Sequence, residues 1–133
     1  MMTLTPEQVE YLNSQTLGRL ATVDRHGAPQ NNPVTFRYNP ELGAIDIGGH
    51  NLGASRKFRN LAGNNWVAFV VDDIASYQPW RVRCLEIRGR AETLSVAEPL
   101  RPGFSTELIR IHPDRILDFG LTAHGAAAPE RPQ

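Results

Sequence analysis

Two basic residues at the start of a predicted helix are the part of this sequence best suited to chemistry. Arg56 and Lys57 follow the glycine-containing segment 48–55, and apolar residues at helical spacing come after them. A helix N-terminus has unpaired N–H groups and a partial positive charge, so cations there are unfavourable unless an anion is bound. The pattern therefore indicates either a phosphate-binding site or a solvated basic first turn, and the local sequence favours neither.

The residues around this pair predict how it is positioned. The β-type run 44–47 precedes the glycines, so the segment forms a strand, a turn and then a helix. Asn51 or Ser55 can cap that helix, because short polar side chains accept hydrogen bonds from the first free N–H groups. Lys57 is the only lysine among fourteen basic residues, which draws attention to it.

Composition and charge exclude several classes of protein. The chain has 133 residues, a formal net charge of zero and a pI near 6.9, which argues against a nucleic-acid or membrane-surface binder. No apolar run approaches the ~20 residues of a membrane span, and no signal peptide is evident, so we expect a cytoplasmic protein. The single cysteine, Cys84, excludes an internal disulfide. The histidines lack metal-ligand spacing and no Ser-His-Asp arrangement is evident, so we predict no metal site and assign no catalytic acid or base.

Apolar periodicity and turn signals predict two helices and six strands. Thr5, Pro6 and Gln8 form a helix start of the capping-box type. Pro33 near the start of a strand indicates an edge or an interrupted ladder, and Gly89 inside a long strand indicates a bulge or a bend. The predicted helices are 6–15 and 54–63, and the predicted strands are 18–23, 32–38, 44–48, 66–71, 82–94 and, as one strand broken at Pro113, 107–112 with 115–119.

These elements predict a mainly β (α+β) fold, a six-stranded antiparallel split β-barrel with helices at its ends. Residues 1–121 form this single domain, and the tail 122–133, rich in Ala and Pro, is expected to be disordered. The nearly all-apolar strand 66–71 is predicted to be buried on both faces, with Trp66 in the core, and 74–80 to be a connection.

Several short motifs occur along the chain in a characteristic order. They are Leu20–Asp24, Gly27–Pro29, Pro33–Phe36, Ser55–Lys57, Asn64-Asn65 with Val67-Ala68, and Glu86–Glu92. This series, which spans about residues 5–121, resembles the pyridoxamine 5′-phosphate oxidase-like flavin-binding split barrels. Within that superfamily, Arg110–Ile116 and Phe119–Leu121 are most similar to the short actinobacterial oxidoreductases that use the deazaflavin coenzyme F420.

The resemblance implies a homodimer with two cofactor sites at the interface between the subunits. The cofactor would be F420 or, alternatively, FMN, and its phosphate would be held by Ser55, Arg56 and Lys57. The other cofactor-binding residues that the resemblance implies are Asn32, Pro33 and Val34 along the tricyclic ring, Gly48, Gly49 and His50 along the ribityl chain, and Trp80 and Arg81 from the neighbouring subunit.

Ordinary structural roles compete with these assignments. Asn32 and Pro33 can be a strand entry, His50 a loop residue, and Trp80 part of a dimer interface. Pyridoxamine phosphate oxidases also carry a C-terminal substrate-binding segment with no clear match here, and a flavin-contacting glutamine where this chain has Cys84. Both departures weaken a vitamin-B6 function and leave the choice between flavin and deazaflavin open.

The resemblance predicts an oxidoreductase that uses reduced F420 to transfer hydride to a small electron-poor acceptor, either quinone-like or unsaturated. The protein would supply position and electrostatics, because the hydride chemistry belongs to the cofactor. One alternative is an FMN-dependent oxidase or reductase of the pyridoxamine phosphate oxidase type. The other is a non-enzymatic protein that binds a flavin, a deazaflavin or a tetrapyrrole.

Overall fold

A computed structural model describes residues 2–121 of the chain. Two helices and six strands are present in this part, as the sequence predicts, and a single 3-10 turn is added between β3 and α2. The predicted disorder of the tail 122–133 lies outside the described residues. The elements are α1 Pro6–Asn13, β1 Leu17–Val23, β2 Pro29–Asn39, β3 Ala44–Gly48, the 3-10 turn Leu52–Ala54, α2 Arg56–Gly63, β4 Trp66–Tyr77, β5 Trp80–Ser95 and β6 Glu107–Phe119.

The six strands form a closed antiparallel barrel in the order β1-β2-β3-β6-β5-β4, which confirms the predicted fold class. Closure comes from a short ladder between β1 and β4, in which Leu20 lies opposite Phe69. The barrel interior holds the apolar core, where the rings of Phe36 and Phe69 meet edge to face with centroids 5.2 Å apart. Within residues 2–121, neither helix has the length and apolar character needed to cross a bilayer.

Helix α1 begins at the predicted capping box. The Oγ1 of Thr5 accepts a hydrogen bond from the Gln8 N–H, and the Gln8 side chain accepts one from the Thr5 N–H. The helix ends at Asn13, two residues earlier than predicted, because the Ser14 hydroxyl donates to the carbonyl of Tyr11 and competes with a further helical turn. Tyr11 lies on the buried face and fastens the helix to the barrel.

One carboxylate that attaches α1 to the barrel is that of Asp73 on β4. It accepts a hydrogen bond of 2.8 Å from the Tyr11 hydroxyl and two from the Arg83 guanidinium, at 3.0 and 2.6 Å. The hydrogen bond from Arg83 holds the pKa of Asp73 below its ordinary value, although burial acts the other way. Burial, followed by the hydrogen bond to Asp73, raises the pKa of Tyr11.

We predict that Asp73→Asn removes part of the acid sensitivity of the fold. A carboxylate whose pKa is lowered by folding contributes stability above its unfolded pKa, and loses it as the pH falls through the folded pKa. The free energy of unfolding of the wild type, measured with urea at pH 7, 4 and 3, should therefore fall below about pH 4. The variant should be less stable at pH 7 and lose less on acidification. Asp114→Asn, at an exposed position of β6, is the control and should follow the wild type.

Strand β4 is longer and less buried than the sequence predicts. It continues through Asp72 and Asp73 to Tyr77, so the expected connection 74–80 is instead the end of one strand, a Gln78-Pro79 turn and the start of β5. Burial alternates along the strand, and Trp66 is exposed rather than in the core. A barrel has one apolar interior, so the other face of each strand points outward.

The predicted irregularities of β5 and β6 meet at one place. The ladder between these strands shifts register at Gly89, where a Cβ atom would lie 2.1 Å from the carbonyl oxygen of His112. This confirms the bulge predicted at Gly89. Pro113 does not break β6, which is one continuous strand; the register shift absorbs the proline opposite the glycine.

Candidate functional site

A depression of about 570 Å³ lies where β2, the β3–α2 connection and the loop between β5 and β6 meet. Its lining is mixed, and within the described residues it contains no Asp or Glu side chain. It brings together seven of the residues predicted from the sequence, which are Pro33, Val34, Gly48, Gly49, His50, Ser55 and Lys57.

A larger groove of about 700 Å³ lies between α1 and the end of β2, around Leu4, Val9 and Tyr38. It is open and mainly apolar, and its charged residue is Glu10. None of the predicted site residues lines it. The smaller depression is therefore the better candidate for an anionic ligand.

One wall of the depression is a strand segment that pairs on one side. Residues 29–35 of β2 pair with β1, whereas pairing with β3 begins only where Thr35 lies opposite Gly48. In an antiparallel ladder alternate backbone groups point to opposite sides, so those of 29–34 on the far side have no strand partner. Pro33, which has no N–H, is tolerated in this segment, in agreement with the predicted interruption of the ladder.

Another wall is the start of α2. The helix begins at Arg56 with Ser55 as its N-cap, two residues later than predicted, because the preceding residues form a 3-10 turn. The Ser55 hydroxyl accepts from the N–H of Phe58 at 3.3 Å and donates to the carbonyl of Leu52 at 2.6 Å. The proton of the Ser55 hydroxyl is therefore used in the 3-10 turn. The free donors at this helix start are backbone N–H groups and Lys57.

Arg56 and Lys57, the predicted basic pair, have different surroundings. Lys57 is half-buried and lines the depression, whereas Arg56 is exposed and outside the lining. Arg56 lies near Asp24, which is in the turn between β1 and β2. Backbone N–H groups of Ala28 and His26 lower the pKa of that carboxyl, and the positive charge of Arg56 adds a smaller effect. The structure thus keeps one member of the pair in the candidate site.

Three further predicted residues are not brought to the depression by this chain. Asn32 lies on β2 opposite Leu20, half-buried and beside the lining rather than in it. Trp80 and Arg81 are exposed at the tip of the β4–β5 hairpin, where the Trp80 ring packs edge to face on Tyr77 at 5.8 Å. A role for Trp80 and Arg81 in the site of a neighbouring subunit stays a prediction.

The loop 96–106 between β5 and β6 forms the third wall, and the sequence analysis missed it. The His50 ring packs edge to face on Phe104 with centroids 4.9 Å apart, and its Nδ1 lies 3.2 Å from the Gly103 carbonyl oxygen. Arg101 and Pro102 complete this wall. The signal available in the sequence was Arg101, a cation next to the Pro102-Gly103 turn. No local pattern connects this turn to the site residues about fifty positions earlier in the chain.

Gly48 lies against this loop. A Cβ atom there would lie 3.0 Å from both Leu100 Cβ and Phe104 Cδ2, so these side chains would have to shift slightly. Gly49 has more room, since the nearest atom to its Cβ would be 3.7 Å away on Leu52. Gly48, Gly49 and His50 all line the depression, and their contacts with a ribityl chain stay predictions.

The site is suited to holding an anion and a flat ring rather than to acid–base or metal chemistry. Lys57 and Arg101 supply positive charge to the lining, and the unpaired edge of β2 supplies backbone hydrogen-bonding groups. Among residues 2–121, no three His, Cys, Asp or Glu side chains converge in a way that could hold a metal ion.

Comparisons with known proteins show the family of the chain. The family model described as pyridoxamine 5′-phosphate oxidase matches residues 4–130. The chain is 47% identical over 121 residues to the 5a,11a-dehydrotetracycline/5a,11a-dehydrooxytetracycline reductase of Streptomyces rimosus, covering 90% of this chain and 85% of that protein.

Solved structures with the same fold have diverse descriptions. The conserved hypothetical protein Rv2991 of Mycobacterium tuberculosis superposes with a TM-score of 0.69 at 19% identity, covering 89% of this chain and 85% of the other. HutZ, the heme storage protein of Vibrio cholerae, superposes with a TM-score of 0.66 at 21% identity, covering 90% and 97%. At such identities these likenesses concern the fold alone.

Proposed function

The chain belongs to the pyridoxamine 5′-phosphate oxidase family, and from that membership we propose that it is an oxidoreductase with a flavin-type cofactor. One observation carries the proposal. The fold brings Lys57 and the unpaired edge of β2 into the lining of a single depression. A cofactor with a flat polar ring and a phosphate tail needs both: a hydrogen-bonding edge for its ring and a cation for its phosphate.

The residues of the depression fit such a cofactor. Lys57 and the first N–H groups of α2 would hold its phosphate, and the free backbone groups around Val34 would bond the polar edge of its ring. Bound there, the cofactor supplies hydride transfer. The carboxylate-free lining would keep the local potential positive and favour negative charge on the ring.

The substrate class follows from the most informative relative. That protein is named as a reductase of 5a,11a-dehydrotetracyclines, and its identity to this chain extends over most of both sequences. Reduction of a dehydro compound adds hydride to one carbon of a C=C bond and a proton to the other. We therefore propose that this chain reduces an unsaturated, electron-poor ring compound with reduced F420 as the hydride donor, and with solvent water as the proton source.

The proposal is tested by cofactor binding and then by turnover. Purified protein is titrated with F420 and with FMN while cofactor fluorescence is recorded. Binding of F420 followed by oxidation of reduced F420 in the presence of a dehydrotetracycline is the expected result. Tight FMN binding without F420 binding would replace the deazaflavin by a flavin. A Soret band on adding haem, together with no binding of either cofactor, would leave only a tetrapyrrole-binding protein.

We also propose that two copies of this chain form a homodimer through the outer face of β4 and β5. Trp66, Ile74, Tyr77 and Trp80 are large apolar side chains exposed along these strands and their hairpin, and exposed apolar surface of this kind marks contact sites. The arrangement would let Trp80 reach the neighbouring site, as the family resemblance implies.

Ile74→Asp is predicted to weaken this dimer at least about tenfold, because it buries an unpaired carboxylate in the interface. Sedimentation velocity over a range of protein concentrations measures the effect. Leu42→Asp is the matched control, since Leu42 is similarly exposed, 46% against 39% for Ile74, but lies in the β2–β3 turn. A wild type that sediments as a monomer at every concentration would refute the interface.

A further inference from the structure

Two cations from distant parts of the chain converge on the depression without a partner. Lys57 comes from α2 and Arg101 from the loop 96–106, and within residues 2–121 neither side chain has a hydrogen bond or an ion pair. Several other arginines, such as Arg83 and Arg110, pair with carboxylates in the same structure. Unpaired cations that share a concave surface repel each other unless an anion lies between them.

The loop that carries Arg101 is fastened in place. The Ser105 N–H donates to the Gly49 carbonyl at 2.9 Å, and the Leu52 N–H donates to the Ser105 hydroxyl at 3.2 Å. Next to Arg101, the carbonyl of Leu100 accepts a hydrogen bond from the Arg37 guanidinium. The backbone position of Arg101 is therefore set before any ligand arrives, which lowers the entropic cost of binding.

The turn around Arg101 is also closed on itself. The Phe104 N–H donates to the Arg101 carbonyl at 3.0 Å, and Gly103 has a φ of 88°, a left-handed conformation that favours glycine. Phe104 in turn packs on His50. The loop thus holds the Arg101 backbone near the β3–α2 connection.

We propose that Arg101, together with Lys57, binds the phosphate ester of the cofactor. The inference rests on the proposed function, because the phosphate belongs to the flavin-type cofactor. It adds a residue of the loop 96–106 to the family-based assignment, which takes every phosphate contact from the start of α2. A guanidinium suits this role, since its planar fork can donate two parallel hydrogen bonds to phosphate oxygens.

The test compares three single variants of the full chain with the wild type. Arg101→Ala should raise the Kd for FMN or F420 about five- to tenfold and make it less dependent on salt, because one charge contact is lost. Arg115→Ala, at an exposed position of β6 outside the depression, controls for the loss of one positive charge. Arg101→Lys should recover part of the affinity.

A second measurement separates this inference from the proposed function. Inorganic pyrophosphate is added to each variant and the shift in Tm is recorded. If the wild type binds neither cofactor, the proposed function fails, yet a pyrophosphate shift that Arg101→Ala abolishes still supports the phosphate site. If Arg101→Ala binds cofactor like the wild type, the inference is overturned and the proposed function stands. No pyrophosphate shift and no cofactor binding overturn both.

Discussion

Replacing Arg110 by alanine is expected to destabilise the barrel by about 3–5 kcal/mol, the usual cost of leaving one member of a buried ion pair without its partner. The Nε and Nη2 atoms of Arg110 donate to the two carboxylate oxygens of Asp46 at 2.7 and 3.1 Å. The two side chains are only 15% and 9% exposed. The same hydrogen bonding raises the pKa of Arg110, so its guanidinium stays charged.

The position of this pair makes the loss more damaging. Asp46 and Arg110 are opposite each other in the ladder between β3 and β6, which joins residues 45–47 to 109–111 and helps to close the barrel. After the substitution, the remaining side-chain partner of Asp46 would be the Nδ2 of Asn39, at 3.1 Å. One neutral donor does not offset the desolvation of a buried carboxylate.

Urea unfolding at pH 7 measures the effect, with Arg88→Ala as the matched control. Arg88 forms a similar pair with Glu86, at 2.9 Å, but these side chains are 48% and 31% exposed. Its removal should cost less than about 1 kcal/mol, as for other exposed pairs. Equal losses in the two variants would contradict the argument, because burial would then make no difference.

Elements with local signals were predicted well, and those that depend on distant partners were not. The capping box at Thr5 and Gln8 and the strand Ala44–Gly48 are encoded by neighbouring residues. The end of β4 was misplaced because the Asp72-Asp73 pair looks like a strand terminator. In the fold, Asp72 pairs with Arg19 of β1, and Asp73 pairs with a residue of β5, so both carboxylates are accommodated on a continuing strand.

In the candidate site, too, the features with local sequence signals could be predicted and those that depend on distant contacts could not. The helix cap at Ser55 and the cation at Lys57 follow from a short segment of sequence. Arg101 enters the site through hydrogen bonds that join the loop 96–106 to Gly49, and no local pattern reveals them. The separation of Arg56 from Lys57 likewise depends on which side of α2 faces the barrel.

Replacing Lys57 by alanine is expected to weaken cofactor binding by about 1.5–3 kcal/mol, the range for a hydrogen bond to a charged group, which corresponds to roughly a 10- to 150-fold higher Kd. The loss should be larger than that for Arg101, because Lys57 is half-buried in the lining and Arg101 is exposed. Fluorescence titration with F420 and FMN measures it. Lys57→Arg keeps the charge and should retain most of the affinity.

The same substitution should not unfold the protein. Lys57 lies at the second position of α2, where its charge opposes the helix dipole, and no carboxylate within residues 2–121 pairs with it. Removing the charge should therefore leave the free energy of unfolding without cofactor unchanged or raise it by a few tenths of a kcal/mol. A phosphate ligand predicts this combination of weaker binding and an intact fold. A large fall in Tm with unchanged affinity would instead make Lys57 a structural residue, and the depression would lose its anion site.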